Sequence, residues 1–319
     1  MIWTMSEGNS SPAISGSPRC SIKLSSRFKG WGALISVTMI WGSTFVIIQA
    51  IEPTIPIAAI LLLRFLVAAI VFVPFMWSAR IAVKQLLKGI GVGILLGLGV
   101  LGQAWALKTI SVDQVAFITG LSVVLVPFIE ALRRRRIPPR FTFLSVAGGV
   151  AGLALLIGHI GGSYHIGTLW AGIAALALAG QIVGTAVQSQ HMGSALLTSA
   201  ELWGAALVMA IAVLGTGSWD RLALHPTVWH NSLVWISVIY LTLVATIGAF
   251  WLQMWGQAQL TATESAVTFN FEPVWGAIFA WVFLNQSLTA FQTLGALLIF
   301  LGMINLAVRS PTVPQRSRR

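Results

Sequence analysis

The polypeptide is predicted to be an all-α membrane protein, with ten transmembrane helices arranged as two inverted five-helix repeats and both termini cytoplasmic. Three observations lead there. Hydrophobic residues make up 57% of the chain and charged residues only 8%, against roughly 25% charged in an ordinary soluble domain. Apolar runs close to the ~20 residues that a helix needs to cross a bilayer recur from Trp31 to Val308, with only short polar or basic breaks between them. The basic residues then alternate in side. With an inner N-terminus, the inside segments hold Arg19, Lys23, Arg27 and Lys29, then Arg80, Lys84 and Lys88, then Arg133 to Arg136 and Arg140, and finally Arg309, Arg316, Arg318 and Arg319. The outer loops hold Lys108 and Arg221. This is the positive-inside pattern, so the net charge of +11 is read as topology and not as a nucleic-acid footprint.

The spans follow in order. The first, 31–50, carries Trp41 and Thr44, and the second, 56–77, carries Arg64. The third, 89–108, holds Gly89, Gly93 and Gly97 at four-residue spacing, a helix-packing ladder and not a dinucleotide fingerprint, because no strand precedes it. The fourth, 113–132, contains Pro127 and ends on the basic run RRRRIPPR, read as a topology anchor, with an anionic-lipid site as the sharper alternative. The fifth is 141–160. The sixth, 166–187, repeats the small-residue spacing at Gly180 and Gly184. The seventh, 195–214, holds Glu201, and the eighth, 231–254, holds Trp251 and Gln253. The ninth, 263–284, has Glu272 and Pro273 in mid-segment, and the tenth is 290–308. Residues 1–29 are Ser-rich and are expected to form a disordered cytoplasmic tail, residues 309–319 a basic one. Cys20 is the only cysteine, so no internal disulfide is expected.

A repeat is visible in the spacing: Pro127 precedes Gly149 by the same interval as Pro273 precedes Gly295. Residues 30–160 and 161–308 thus form two five-helix units, and an odd number of spans in the first inverts the second. The stretches WGSTFV (41–46), LRF (63–65), ALKTISVDQVAFITGLSVVLVPFIEALRRRRIPP (106–139), AQLTATESAV (258–267) and FEPVWGAIFAWVFLNQSLTAFQTLGALLIFLGM (271–303) together resemble the EamA-domain permeases of the drug/metabolite transporter superfamily. The resemblance covers roughly residues 31–308. It implies ten helices in two inverted repeats, a bacterial inner-membrane location, and movement of small metabolites, amino acids or drugs without ATP. Where the family carries a glutamate after the ninth helix, this chain has Asn285, so a coupling or capping role for that acid is not carried over.

Charges inside a bilayer are costly and should face protein or water, which singles out Arg64, Glu201 and Glu272. Together with Pro273 they are the candidates for coupling or gating. Glu272 and Pro273 are expected to form a polar notch, since proline removes a backbone donor and exposes a carbonyl. Two readings of Glu272 stand: it lines a solute path, or it caps freed backbone groups or pairs with Arg64. Glu201 is expected to be the proton-coupling carboxylate if it is buried, and an ordinary interfacial acid if it is not. Glu264 and Asp113 are expected at the interface and Glu130 beside the arginine run, all three structural. Trp41, Thr44, Gln103, Trp105, Gln181, Trp251, Gln253 and Asn270 are the candidate substrate-path residues, because mid-helix tryptophans with amides nearby suit a cavity for amphipathic solutes.

No phosphate-binding loop of the GxxxxGK[ST] type is present, and the five histidines lack ligand spacing, so no ATP coupling, cofactor or metal is expected. The expected function is a secondary transporter exporting an amino acid or drug-like solute by alternating access, with helices one, three, six and eight closing around it. The rivals are a structural or sensory membrane protein without flux and a membrane-embedded enzyme, for which no nucleophile and base cluster is visible. Expected partners are the small-molecule substrate and the lipid bilayer, with no nucleic acid. Gly149, Gly152, Gly295 and Gly302 would permit a homodimer through helices five and ten.

Overall fold

The computed structural model describes residues 18–51, 57–77, 82–110, 112–157, 166–217, 232–284 and 289–309. Every element among them is helical. In chain order these are α1 (Pro18–Ile51), α2 (Ile57–Val71), α3 (Val73–Trp77), α4 (Val83–Ala106), α5 (Val112–Gly120), α6 (Ser122–Arg134), α7 (Arg140–Ile157), α8 (Ile166–Gln188) and α9 (Ser194–Thr216). Then come α10 (Ser232–Ile239), a π-helical segment (Tyr240–Gly248), α11 (Ala249–Gln257), α12 (Ala262–Phe269), α13 (Phe271–Leu284) and α14 (Ala290–Arg309). Among the described residues, six helical stretches are long and apolar enough to cross a membrane: Val83–Ala106, Val115–Arg134, Ile166–Gln188, Ser194–Thr216, Ser232–Gln257 and Ala262–Phe283. Ala58–Val71, Arg140–Leu155 and Ala290–Leu306 are shorter apolar helices.

Helix starts differ from the apolar limits. α1 begins at Pro18, inside the segment expected to be a disordered tail, and α4 begins at Val83, ahead of its apolar run. The backbone hydrogen-bond ladder continues past the apolar stretch because Lys and Arg are themselves good helix formers. Asn285 lies outside the described residues, as do the side chains of Asp113 and Cys20.

The expected fourth, eighth and ninth spans are each divided, at Leu121, at the π-helical segment and at Asn270. The third division changes the reading of Pro273. The chain turns at Asn270 and restarts at Phe271, which puts Pro273 in the first turn of α13 and not in mid-helix. The first N–H groups of a helix have no intrahelical acceptor, so a proline there removes a donor that had no partner to lose.

Packing is set by small residues. α4 lies against α8 and α9, α7 against α14, α2 against α9, and α1 against α11 and α13. Along α4, Gly89 meets Ala200, Gly93 meets the backbone of Glu201, and Gly97 meets Ala205 and Val208. Gly204 on α9 in turn meets the carbonyl of Ile90. A side chain at either Gly93 or Gly204 would hold these two backbones apart.

The same device joins α7 to α14. Gly152 abuts the Gly295 carbonyl and Ile299, Gly302 abuts the Ser145 carbonyl, and Gly148 faces Leu298 and Gly302. Asn305 Nδ2 adds donations to Ser145 Oγ (2.7 Å) and to the Phe141 carbonyl (3.1 Å). Of the glycines named for a homodimer through the fifth and tenth helices, Gly152, Gly295 and Gly302 lie in this contact within one chain, and Gly149 faces Asn270 and Val123. Phe143, Leu144, Phe291, Leu297 and Leu301 are among the exposed side chains on these two helices. Two main apolar cores result. One gathers Leu34, Val123, Val126, Leu153, Ile182, Val267 and Ile299, the other Phe65, Leu96, Leu202, Met209, Phe250 and Met254.

Candidate functional site

Trp41 is half-buried on the face of α1 that meets α11, α12 and the π-helical segment. Its ring centre lies 5.3 Å from that of Phe250 and 5.9 Å from that of Phe269. Its Nε1–H donates to the Ala245 carbonyl at 3.0 Å. One turn on, Thr44 is buried, but its hydroxyl donates to the Trp41 carbonyl at 2.7 Å and so serves its own helix. Ser43 Oγ and Tyr240 Oη lie 2.7 Å apart, tying the same turn of α1 to the start of the π-helical segment.

Elsewhere on α11 and α13, and at the turn before α13, lie buried polar groups with unmet hydrogen-bonding capacity. Gln253 and Gln257 are 2% and 0% exposed, and Gln253 Nε2 donates to Gln257 Oε1 at 3.2 Å. Gln253 Oε1 and Gln257 Nε2 remain without a partner. Asn270, at the turn between α12 and α13, has an unpartnered Nδ2 beside Gly149. Trp275 Nε1 is likewise buried and unpartnered, and its Cβ lies against Gly42, next to Trp41 in the chain. Such groups each cost about 1–3 kcal/mol when left unmet, so they mark either strain or a polar ligand's place.

Glu272 is half-buried, its carbonyl is set against Gly42, and its carboxylate has no hydrogen bond or ion pair among the described residues. It does not pair with Arg64. That guanidinium is 9% exposed on α2 and donates from Nε to Thr246 Oγ1 at 2.7 Å.

Glu201 is 1% exposed, which removes the interfacial reading. Thr185 Oγ1 donates to Glu201 Oε1 at 2.6 Å and Gln181 Nε2 to Oε2 at 2.8 Å, with Gln181 Nε2 also 3.0 Å from Thr185 Oγ1. All its donors are neutral. A buried carboxylate held this way, with no cation beside it, is chemically able to carry a proton in and out of a dry interior.

Not every expected residue joins the Trp41 group. Gln103 Nε2 donates to Thr119 Oγ1 at 3.3 Å, and the ring centres of Trp105 and Trp170 are 4.5 Å apart, which forms a separate polar and aromatic contact among α4, α5 and α8. Trp251 is 49% exposed. It stands two residues from buried Gln253, about 200° around the helix, so the two cannot line one wall.

The sequence reading missed a buried ion pair. Arg27 on α1 is paired with Glu264 on α12, with side-chain exposures of 9% and 0%. Glu264 also closes a capping box: the Thr261 N–H donates to Glu264 Oε2 at 2.8 Å and the Glu264 N–H to Thr261 Oγ1 at 3.2 Å. Thr263 Oγ1 then donates to Glu130 Oε2 at 3.2 Å, and Arg134 reaches Glu130 Oε1 at 3.0 Å. The signal was present as Thr261-Ala-Thr-Glu264, a capping-box pattern that fixes Glu264 as the first-turn acid of a helix.

Comparison with known proteins agrees with this architecture. The model of the EamA-like transporter family matches residues 28–158 and again residues 165–308. An uncharacterized transporter of Archaeoglobus fulgidus is 26% identical over 279 residues, covering 86% of this chain and 85% of that protein. The uncharacterized transporter YoaV of Bacillus subtilis is 25% identical over 279 residues, covering 85% of this chain and 94% of its own length. A crystal structure described only as that of a protein has the same fold, with a TM-score of 0.68 at 16% identity, covering 89% of this chain and 96% of that one. Matched twice and over most of its length, the chain belongs to the EamA-like transporter family and is a membrane transporter.

Proposed function

We propose that this transporter is a secondary carrier of a bacterial inner membrane that exports a small amphipathic solute, an amino acid or drug-like molecule, by alternating access. The single observation that carries the reading is the set of buried, unpartnered polar atoms on Gln253, Gln257, Asn270 and Trp275, carried by or next to the helices that supply the aromatic wall of Trp41, Phe250 and Phe269. Apolar rings with a few unmet amide groups suit a solute that is part oily and part polar.

In this reading the chain has ten spans in two inverted five-helix units, 30–160 and 161–308, with both termini in the cytoplasm. The twofold family match and the glycine-lined contact of α7 with α14, which carry Gly149 and Gly295 at equivalent places, support it. The solute enters from the cytoplasm, is enclosed between the units and leaves outward. Glu201 and Glu272 are the carboxylates that exchange protons for it, with Pro273 and Asn270 marking the joint at which α12 and α13 change their relative tilt. Counterflow of a labelled panel of amino acids and amphiphiles in proteoliposomes tests the proposal. Saturable exchange of at least one solute is expected, and a panel with no movement above protein-free vesicles would overturn it.

A further inference from the structure

Arg64 is a buried cation without an ion-pair partner among the described residues. The ion pairs among the described residues are Arg27 with Glu264, and Arg133 and Arg134 with Glu130. Arg64 has its one hydrogen bond there, from Nε to Thr246 Oγ1, while Thr246 donates its own hydroxyl to the Leu241 carbonyl at 2.7 Å. Its two Nη groups are left with no protein acceptor among the described residues. A guanidinium taken out of water costs several kcal/mol unless a charge of opposite sign meets it, and inside a membrane such groups pair or line a water-filled path.

What surrounds it is aromatic. The Arg64 Cζ stands 5.6 Å from the Phe65 ring centre, Phe65 meets Phe250 at 5.8 Å, and Phe250 meets Trp41 at 5.3 Å. Trp41 is hydrogen-bonded to the carbonyl of Ala245, the residue before the one that holds Arg64. The π-helical winding of Tyr240–Gly248 brings both contacts to adjacent residues of one segment. A free guanidinium fork therefore lies at the edge of the same aromatic wall that the transport reading assigns to the solute.

We infer that Arg64 binds the carboxylate of the transported solute, whose apolar part rests on the half-buried Trp41, with Phe65 and Phe250 packed behind it. This rests on the transport reading above and narrows it: the substrate class is an organic monocarboxylate, not an amphipathic amine. One guanidinium balances one negative charge, and its planar fork matches a planar carboxylate in a two-point contact. A dianionic phosphate ester would bring a second charge, for which the described residues supply no second cation at this wall.

The test uses the full-length protein with three matched probes: 3-phenylpropanoate, its methyl ester and 3-phenylpropylamine. Thermal unfolding in detergent and uptake into proteoliposomes are both read. The acid is expected to raise the unfolding midpoint and to be taken up saturably, the ester and amine to do neither. Arg64→Lys should weaken the acid about tenfold and Arg64→Gln should abolish its advantage over the ester. An ester or amine that acts as well as the acid on the unchanged protein overturns the inference, and so does an acid response preserved in Arg64→Gln. If Arg64→Gln does not fold, the comparison of acid with ester on the unchanged protein decides alone. Movement of other solutes with no response to the acid overturns the carboxylate assignment and leaves transport standing. No movement of any solute overturns both.

Discussion

Arg27 on α1 and Glu264 on α12 form an ion pair in which the carboxylate is fully buried, so two helices far apart in sequence share one charge contact. Removing one partner leaves the other charge uncompensated, a change that costs about 3–5 kcal/mol in a buried pair. Glu264→Gln retains the geometry of the capping box but not the charge, whereas Glu264→Ala loses both. Thermal unfolding in detergent should therefore rank native above Glu264→Gln above Glu264→Ala. The double change Arg27→Gln with Glu264→Gln should recover part of the single-change loss; strict additivity of the two would mean that the pair contributes no coupling.

Gly93 and Gly204 place the backbones of α4 and α9 in contact, and an added methyl group at either meets main chain, which cannot move aside as a side-chain tip can. Gly93→Ala and Gly204→Ala should each destabilise by at least about 1–3 kcal/mol. Gly91 has open space where its Cβ would stand, so Gly91→Ala should be neutral or stabilising by up to about 1 kcal/mol. Equal losses at Gly91 and Gly93, measured by the same unfolding assay, would show that helix propensity and not contact governs α4.

These two cases show what was legible beforehand. The apolar helices and the α4 glycine ladder were readable because lipid fixes helix length and close approach fixes residue size. The buried state of Glu201 was not, since an acid two turns into a helix has the same sequence signature whether it meets donors or headgroups. Only the donors Gln181 and Thr185 on α8 decide it. Pro273 was read as a mid-helix break because its apolar run is continuous, while the turn at Asn270 that makes it a first-turn proline leaves no gap in hydropathy. The α7 and α14 glycines were correctly read as contact residues, but a single sequence does not say whether the partner face belongs to the same chain.

Trp41 contributes both a ring and a donor to the proposed solute wall. Trp41→Phe keeps the contacts with Phe250 and Phe269 and loses the donation to Ala245, which is worth about 1 kcal/mol. The unfolding midpoint should fall by the few degrees that about 1 kcal/mol represents, and half-saturation for solute counterflow should rise severalfold because the smaller ring leaves part of the solute wall uncovered. Trp251, exposed and turned away from Gln253, is the internal control: Trp251→Leu should leave counterflow unchanged. A transport loss at Trp251 equal to that at Trp41 would place the path on the other side of α11.

Glu201 is the buried carboxylate best built to carry a proton, because its two donors are neutral and come from one neighbouring helix. Proton loading there would loosen the bonds to Gln181 and Thr185, and with them the contact of α8 with α9. Glu201→Gln fixes the site in a neutral form of nearly the same shape. If the carboxylate couples flux to protons, this change should abolish solute accumulation driven by a pH gradient across proteoliposomes while leaving solute exchange at equal pH within about twofold. Glu272→Gln is the parallel measurement, and retention of gradient-driven accumulation in Glu201→Gln with its loss in Glu272→Gln would move the coupling site to α13. Accumulation that survives in both variants would remove proton exchange at these carboxylates from the mechanism.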